Sequence, residues 1–222
     1  MKKFLIILLV CALCVGFCLP VCAAEQAGDR LLTLVNPWNT IPEDWTVELV
    51  NIGSGHKVDK TCHDDLMAML EACRAEGLSP IVRSSYRTQK TQEQLYANKV
   101  RQWKGYGYDE EAARKKAATI VAVPGTSEHQ TGLCVDIHNI PTGASVLFAD
   151  TPEGAWLAEN CWKFGFILRY PKDKTEITGI SFEPWHFRFV GRYTAYQIHS
   201  QGICLEEYHE QLNANNQPGA DA

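Results

Sequence analysis

The sequence lacks an excess of positive charge, repeated segments and a dividing linker, and each absence excludes a class of protein. Its 21 Lys and Arg residues are outnumbered by 26 Asp and Glu residues, which gives a formal net charge of −5. An acidic chain has no general electrostatic attraction for nucleic acid, so we expect no nucleic-acid partner. Without repeats or a Gly/Ser-rich linker, 222 residues are typical of one domain with a sizeable core.

The nine cysteines also lack the close spacing of zinc knuckles and disulfide frameworks. Four lie in the first 24 residues, and the other five are widely separated. Cys62 and Cys73 lie on one predicted helix, about 16 Å apart along its axis, which is too far for a disulfide. We expect mostly small buried hydrophobic residues at Cys62, Cys73, Cys134, Cys161 and Cys204.

The N-terminal segment has a short basic start, an apolar run from Phe4 to Leu19 and then small residues before Glu25. This order is typical of a secretory signal peptide at residues 1–24, so we expect an exported, extracytoplasmic protein. An uncleaved membrane anchor is the alternative, because the run approaches the lower length limit for a membrane span. Residues 1–24 contain two lysines and no acidic residue, so the formal charge of the remainder is −7.

Helices and strands are interspersed without a regular period in the rest of the chain, which favours an α+β fold. Apolar spacing and capping residues predict helices at 59–76, 89–99, 109–121 and 153–164. Residues 80–85, 133–137 and 187–190 are predicted strands, and residues 103–108 a loop. We expect a small central antiparallel sheet flanked by helices, one domain at 25–210 and a flexible tail at 211–222.

A first polar motif runs from Ser127 to Asp136. His129 and Asp136 are separated by a segment that contains Gly132, which allows the chain to bend. Asp136 lies between Val135 and Ile137, and a carboxylate in an apolar strand is costly to bury unless it is paired or binds a metal. No adjacent Lys or Arg provides a partner. The alternative is an exposed strand position whose two apolar neighbours face the core.

A second polar motif is Glu183-Pro184-Trp185-His186, followed by alternating aromatic and basic residues. If 185–190 is a strand, His186 and Arg188 face one side and the aromatic residues the other. Pro184 is incompatible with a regular ladder through Glu183 and allows this carboxylate to turn toward the same side. The alternative is an edge strand whose polar face contacts solvent.

Together, His129, Asp136 and His186 can fill three corners of a tetrahedral zinc site, with the fourth corner open to water. Glu183 can accept a proton from that water. His138 is the alternative ligand, because it follows Asp136 by two residues on the same strand face. We expect the metal site to lie on the sheet.

A third polar segment, Tyr86-Arg87 to Gln92, follows a predicted strand and leads into a helix. An arginine at such a turn can present a planar set of donors to a carboxylate or to a developing oxyanion. The alternative is a surface salt bridge.

The three segments together resemble the VanY-type D-alanyl-D-alanine carboxypeptidases, the zinc peptidases that trim bacterial peptidoglycan stems. The similarity runs from about Leu49 to Gly191 and includes the family patterns Ser-x-His-x-x-Gly-x-x-x-Asp and Glu-x-Trp-His. It departs from the family at Cys134, where a small residue such as Ala is more usual. We interpret this thiol as inert packing, with oxidation or metal poisoning as the alternative.

The resemblance implies a monomeric zinc carboxypeptidase that releases C-terminal D-alanine from peptidoglycan stem peptides. It implies that Zn²⁺ is bound by His129, Asp136 and His186, that Glu183 is the general base, and that Arg87 stabilises the tetrahedral oxyanion. It further implies contacts to the substrate from Ser127, Gln92, Tyr86 and Trp185. As an aromatic residue in a strand, Trp185 is alternatively part of the core.

Two other functions stay open. A zinc endopeptidase of the same fold would cut inside peptide cross-bridges, and a non-catalytic module would only bind the wall. Glu183 argues against the module, because pure binding needs no base beside a metal. The bond between two D-alanines and the bond between a diamino acid and D-alanine are both compatible with these residues.

Overall fold

The computed structural model describes residues 30–139 and 145–215, so the predicted signal peptide lies outside the described residues. Within the described ranges, no helix has the length and apolar character that crossing a membrane requires. The helices are α1 (Lys60–Ala75), α2 (Gln89–Gly105), α3 (Glu110–Ala118), α4 (Pro152–Asn160), α5 (Thr175–Thr178), α6 (Arg192–Gln201) and α7 (Leu205–Asn215).

The strands form a hairpin and a sheet. They are β1 (Leu49–Gly53), β2 (His56–Asp59), β3 (Ile81–Ser84), β4 (Cys134–His138), β5 (Phe166–Leu168) and β6 (His186–Phe189). β1 and β2 pair as an antiparallel hairpin. The other four strands form an antiparallel sheet in the order β3-β4-β6-β5. The predicted α+β fold with a small antiparallel sheet is therefore confirmed.

The two central strands, β4 and β6, divide the sheet into an apolar face and a polar face. Val135 and Ile137 of β4 and Phe187 and Phe189 of β6 belong to the main hydrophobic core. Because side chains alternate along a strand, the residues between them face the other side. The α1 helix covers the apolar face with Cys62, Leu66, Met69 and Leu70.

The predicted helix starts agree with the capping geometry. Asp59 caps α1 by accepting a hydrogen bond from the backbone N–H of Thr61 at 2.9 Å, and Thr88 caps α2 by accepting one from the backbone N–H of Thr91. The predicted loop at 103–108 is partly wrong, because α2 continues to Gly105. Trp103 packs in the cluster between α2 and α3, and this tertiary contact extends the helix.

The first five residues of the predicted C-terminal tail, 211–215, are helical. The α7 helix continues to Asn215, because Leu205 and Tyr208 are buried in a second hydrophobic cluster and Leu212 packs against it. Residues 216–222 lie outside the described residues. The α6 helix, which the sequence reading did not identify, contributes Ile198 to the same cluster.

The five cysteines of the described ranges are all free and buried. Their side chains are at most 3% exposed. The expectation of buried cysteines is confirmed, as is the absence of a Cys62–Cys73 disulfide, although the surroundings of Cys134 differ from those of the others.

Candidate active site

The sheet and one short turn bring the three predicted metal ligands together. His129 lies in a 3-10 helix (Glu128–Thr131) just before β4, Asp136 lies on β4, and His186 begins β6. In the register of β4 and β6, Asp136 is directly opposite His186. Gly132 has φ of 76° and allows the chain to turn from His129 into β4, as predicted.

Each imidazole has one ring nitrogen that faces Asp136, and its other ring nitrogen is hydrogen-bonded to a different protein group. His129 Nε2 lies 3.2 Å from Asp136 Oδ2, and His186 Nδ1 lies 3.0 Å from Asp136 Oδ1. His129 Nδ1 lies 2.8 Å from the carbonyl oxygen of Ser85, and His186 Nε2 lies 3.2 Å from Glu128 Oε2. Such outer hydrogen bonds fix the tautomer and orientation of metal-binding histidines. The donor set therefore fits a zinc ion.

The pKa shifts in this cluster also suit the binding of a cation. Burial and Arg87 both lower the pKa of His129, but Asp136 outweighs them and raises it to about 8. Burial would raise the pKa of Asp136, yet the two imidazoles hold it well below its usual range. The protonated imidazoles therefore compensate the charge of the buried Asp136 carboxylate, and a metal ion would bind by displacing their protons.

Glu128 is a buried functional residue that the sequence analysis missed. Its Oε1 accepts hydrogen bonds from Arg169 Nε at 2.7 Å and from Arg188 Nη1 at 2.8 Å. Arg169 also pairs with Glu206 at 2.7 Å. Burial alone would raise the pKa of Glu128, but the two guanidinium groups hold it well below its usual range. Glu128 is thus an anion that accepts the N–H of His186 Nε2, so Nδ1 is the ring nitrogen that a metal ion would bind.

Glu183 lies beside the three candidate ligands. It precedes β6 in a turn closed by a 3.2 Å hydrogen bond from the backbone N–H of His186 to the carbonyl oxygen of Glu183. Its Oε2 lies 3.8 Å from His186 Nδ1. Burial, reinforced by the charge of Asp136, raises the pKa of Glu183 to about 7. This value suits a group that must accept and return a proton near neutral pH.

Arg87 reaches the site from the turn after β3. Its Nη2 lies 3.1 Å from Asp136 Oδ2 and 2.8 Å from Ser84 Oγ. Asp136 therefore has a charged partner that its sequence neighbours did not reveal. Gln92 is fully buried, with its Oε1 accepting from Arg87 Nη1 at 3.4 Å and its Nε2 donating to the carbonyl oxygen of Ala122 at 2.8 Å. The predicted substrate contact of Gln92 is wrong, because this side chain is inaccessible and instead positions Arg87.

The candidate ligands and Arg87 line a cleft of about 320 Å³. Ser127 and Trp185, two of the predicted substrate contacts, line the same cleft. Trp185 also packs against the hydrophobic core, so both interpretations of this residue hold. Tyr86 lies outside the cleft, in a neighbouring groove that shares Arg87 with it. A direct contact between Tyr86 and a substrate thus requires a ligand that extends past Arg87.

His138, the alternative ligand, is buried farther along β4. Its ring stacks on Trp185, with ring centroids 5.8 Å apart, and lies equally far from Phe148. These contacts place His138 in an aromatic layer beside the cluster formed by His129 and His186.

Cys134 brings a thiol to the imidazoles. The donor atoms of His129, Cys134 and His186 all lie within 4.8 Å of one another. Burial favours the neutral thiol, but the two imidazoles lower the pKa of Cys134 to about 7. By contrast, burial raises the pKa of Cys161 to about 12. The Cys134 thiol therefore borders the polar cluster, and its inertness stays a prediction.

Comparison with known proteins agrees with this geometry. The family model VanY, described as D-alanyl-D-alanine carboxypeptidase, matches residues 55–192. A D-alanyl-D-alanine carboxypeptidase of Enterococcus faecalis is 45% identical over 166 residues, which are 72% of this chain and 60% of that protein. The chain thus spans less than two thirds of the length of this curated relative.

Two solved structures are similar over most of the chain. A variant of the vancomycin resistance D,D-pentapeptidase VanY in complex with Zn(II) is 46% identical, covers 81% of this chain and 98% of its own, and has a TM-score of 0.74. VanYB in complex with D-alanine-D-alanine is 46% identical, covers 81% and 97%, and has a TM-score of 0.75. With a family match over more than half of its length, the chain belongs to the VanY family of D-alanyl-D-alanine carboxypeptidases.

Proposed function

We propose that the chain is a zinc-dependent carboxypeptidase that releases C-terminal D-alanine from peptidoglycan stem peptides. One observation carries this proposal: His129 Nε2 and His186 Nδ1 both face Asp136, while protein acceptors hold the opposite ring nitrogens. Three such ligands leave one position open, as catalytic zinc sites do. The relatives in complex with Zn(II) and with D-alanine-D-alanine support the same metal and substrate here.

Zinc bound by His129, Asp136 and His186 would supply a Lewis acid and lower the pKa of water. Proton transfer is then the task of Glu183. This carboxylate takes a proton from the attacking water and returns it to the amine of the departing D-alanine. Its pKa of about 7 allows both steps near neutral pH.

Arg87 is the cationic donor of the proposed site. Ser84 and Gln92 hold its guanidinium group, and 20% of its side chain is exposed toward solvent. A fixed, partly accessible guanidinium can stabilise the oxyanion that develops at the scissile carbonyl and can attract a terminal carboxylate. This local cation matters because the chain as a whole is acidic and repels an anionic peptide.

The assay that tests the proposal measures free D-alanine released by the zinc-loaded protein. The substrates are a stem pentapeptide ending in two D-alanines, a tetrapeptide ending in a diamino acid and D-alanine, and the amidated pentapeptide. We expect release from a free-acid peptide and almost none from the amidated one. Equal cleavage of both would favour the endopeptidase, and no hydrolysis at all would favour a wall-binding module.

Replacing the proposed base gives a sharper test. Glu183→Gln keeps the side-chain shape but cannot accept a proton, so zinc should stay bound while kcat falls by about 10² or more. Glu159→Gln, at an exposed position on α4, is the matched control and should leave both unchanged. Loss of zinc from Glu183→Gln would make Glu183 a ligand and contradict its assignment as base.

We also propose that the protein is exported and acts as a monomer in the cell envelope. The order of basic, apolar and small residues in 1–24 supports export. N-terminal sequencing of protein purified from the envelope separates a cleaved signal from an anchor, since cleavage removes residues 1–24. Light scattering of the zinc-loaded protein tests the monomer, and a stable dimer would contradict it.

A further inference from the structure

Tyr170 brings to the active-site cleft a hydroxyl group that the proposed reaction does not yet use. Its side chain lines the cleft, and the residue is only 6% exposed. Within residues 30–139 and 145–215, every fully buried polar side-chain atom except Trp103 Nε1 has a hydrogen-bond partner. The Tyr170 hydroxyl makes no hydrogen bond to these residues, so its oxygen is not fully buried and is accessible from the cleft.

The phenol ring of Tyr170 is held in place by two neighbours. Its centroid lies 4.9 Å from that of the His186 ring, with 43° between the two planes. The guanidinium carbon of Arg169 lies 4.9 Å from the same centroid, which is a cation–π contact, and Arg169 is itself paired with Glu128 and Glu206. A side chain that is already fixed loses little conformational entropy when it binds a ligand. Tyr170 is therefore a preorganised hydrogen-bond donor.

The contacts of Tyr170 place it on the side of the departing amino acid. Arg87 Nη2 contacts Asp136 Oδ2 at 3.1 Å. His186, on which Tyr170 packs, contacts the other carboxylate oxygen, Oδ1, at 3.0 Å. The backbone N–H of Glu183 donates to the carbonyl oxygen of Tyr170 at 3.2 Å. Because Glu183 is the group that returns a proton to the departing amine in the proposed reaction, the departing residue lies beside Tyr170.

We propose that the Tyr170 hydroxyl binds the substrate by donating a hydrogen bond to the C-terminal carboxylate of the departing D-alanine. This inference rests on the proposed function and adds a substrate-binding residue to it. Hydrogen bonds to an ionised acceptor are roughly twice as strong as those between neutral groups. The carboxylate of Glu183 lies on the same side and repels an anion when it is ionised, so the chain end needs a local donor there.

Tyr170→Phe tests the contact because it removes the hydroxyl and keeps the ring that packs on His186 and Arg169. The fold and the zinc content should therefore stay unchanged. We expect KM for the free-acid pentapeptide to rise by about tenfold or more, which is the usual effect of losing a hydrogen bond to a charged group, while kcat changes less. Tyr208→Phe is the matched control, because Tyr208 is similarly buried but packs in the second hydrophobic cluster.

Product binding gives a second readout that needs no turnover. Ligand-observed NMR titrations of the zinc-loaded protein compare D-alanine with D-alaninamide, which lacks the carboxylate. Tyr170→Phe should weaken the binding of D-alanine by about tenfold or more and leave that of D-alaninamide unchanged. Tyr208→Phe should alter neither.

The outcomes separate this inference from the proposed function. Unchanged KM and unchanged D-alanine affinity in Tyr170→Phe would overturn the carboxylate contact and leave the carboxypeptidase proposal standing. A fall in kcat at unchanged KM, or equal weakening of D-alanine and D-alaninamide, would also overturn it, because the hydroxyl would then act elsewhere than on the carboxylate. Wild-type protein that releases no D-alanine would overturn the proposed function and this inference with it.

Discussion

Replacement of Glu128 by glutamine tests whether a buried carboxylate controls the metal site from behind His186. Glutamine keeps the shape and one carbonyl oxygen, which can still accept from Arg169 and Arg188. Its NH₂ group then faces His186 Nε2, where Glu128 Oε2 now lies at 3.2 Å. Because an NH₂ group donates and cannot accept, Nε2 must give up its hydrogen. The one proton left on the ring is then held at Nδ1, the nitrogen that faces Asp136.

We expect this change to lower both the stability of the fold and the affinity for zinc. Removing one member of a buried ion pair costs about 3–5 kcal/mol of the free energy of unfolding, and both arginines are fully buried. We expect the lower end of this range, because Arg169 keeps its pair with Glu206 and Arg188 keeps hydrogen bonds to backbone carbonyl groups. The wrong tautomer of His186 should in addition lower zinc affinity by about 10- to 100-fold.

Glu206→Gln is the matched control, since Glu206 pairs with the same arginine but is bonded to Asn36 and Arg169 and not to His186. Urea unfolding of the metal-free proteins measures stability, and competition with a chromophoric chelator measures zinc affinity. We expect both substitutions to lower stability and Glu128→Gln alone to lower zinc affinity. Wild-type zinc affinity in Glu128→Gln, or an equal loss in the control, would refute the tautomer reasoning.

Three further predictions follow from the same contacts. His129→Ala should lose both zinc and hydrolysis, and full zinc occupancy by metal analysis would instead direct attention to His138. Arg87→Lys keeps the charge but loses the planar fork, so kcat should fall by about 10² at unchanged zinc content; an unaltered kcat would exclude the oxyanion role. Because the pKa of Glu128 is depressed below 4.5, its stabilisation is complete above about pH 4.5 and decreases as the pH falls. Urea unfolding at a series of acidic pH values should show a weaker decline for Glu128→Gln than for the wild type, and parallel declines would contradict this.

The sequence predicted that His129, Asp136 and His186 lie together because each of them belongs to a short motif with local consequences. Asp136 between two apolar residues implied a strand with one polar face, and the aromatic alternation after His186 implied another. Antiparallel pairing then places those polar faces together, as the register of Asp136 opposite His186 demonstrates. The predicted sheet and most helices have the same local origin in apolar spacing and capping residues.

The outer layer of the site could not be predicted, because its contacts join distant segments. Glu128 depends on Arg169 and Arg188, which lie 41 and 60 residues away in the sequence. The signal available was the presence of these arginines beside apolar strand residues, where a buried charge requires an acidic partner. Gln92 was misjudged for a related reason: its motif indicated proximity to the site, whereas only packing determines that its amide is inaccessible.

The hydrophobic core and the polar cluster depend on one strand register. On β4, Val135 and Ile137 are fully buried in the core, while Asp136 faces the imidazoles. A shift of one residue would exchange the two faces and bury the carboxylate among apolar side chains. Each apolar side chain that stays buried contributes about 1.5–3 kcal/mol, whereas a buried ionic cluster has a large desolvation cost and little net stability of its own. The apolar face therefore fixes the register, and this register places Asp136 opposite His186 in the polar cluster.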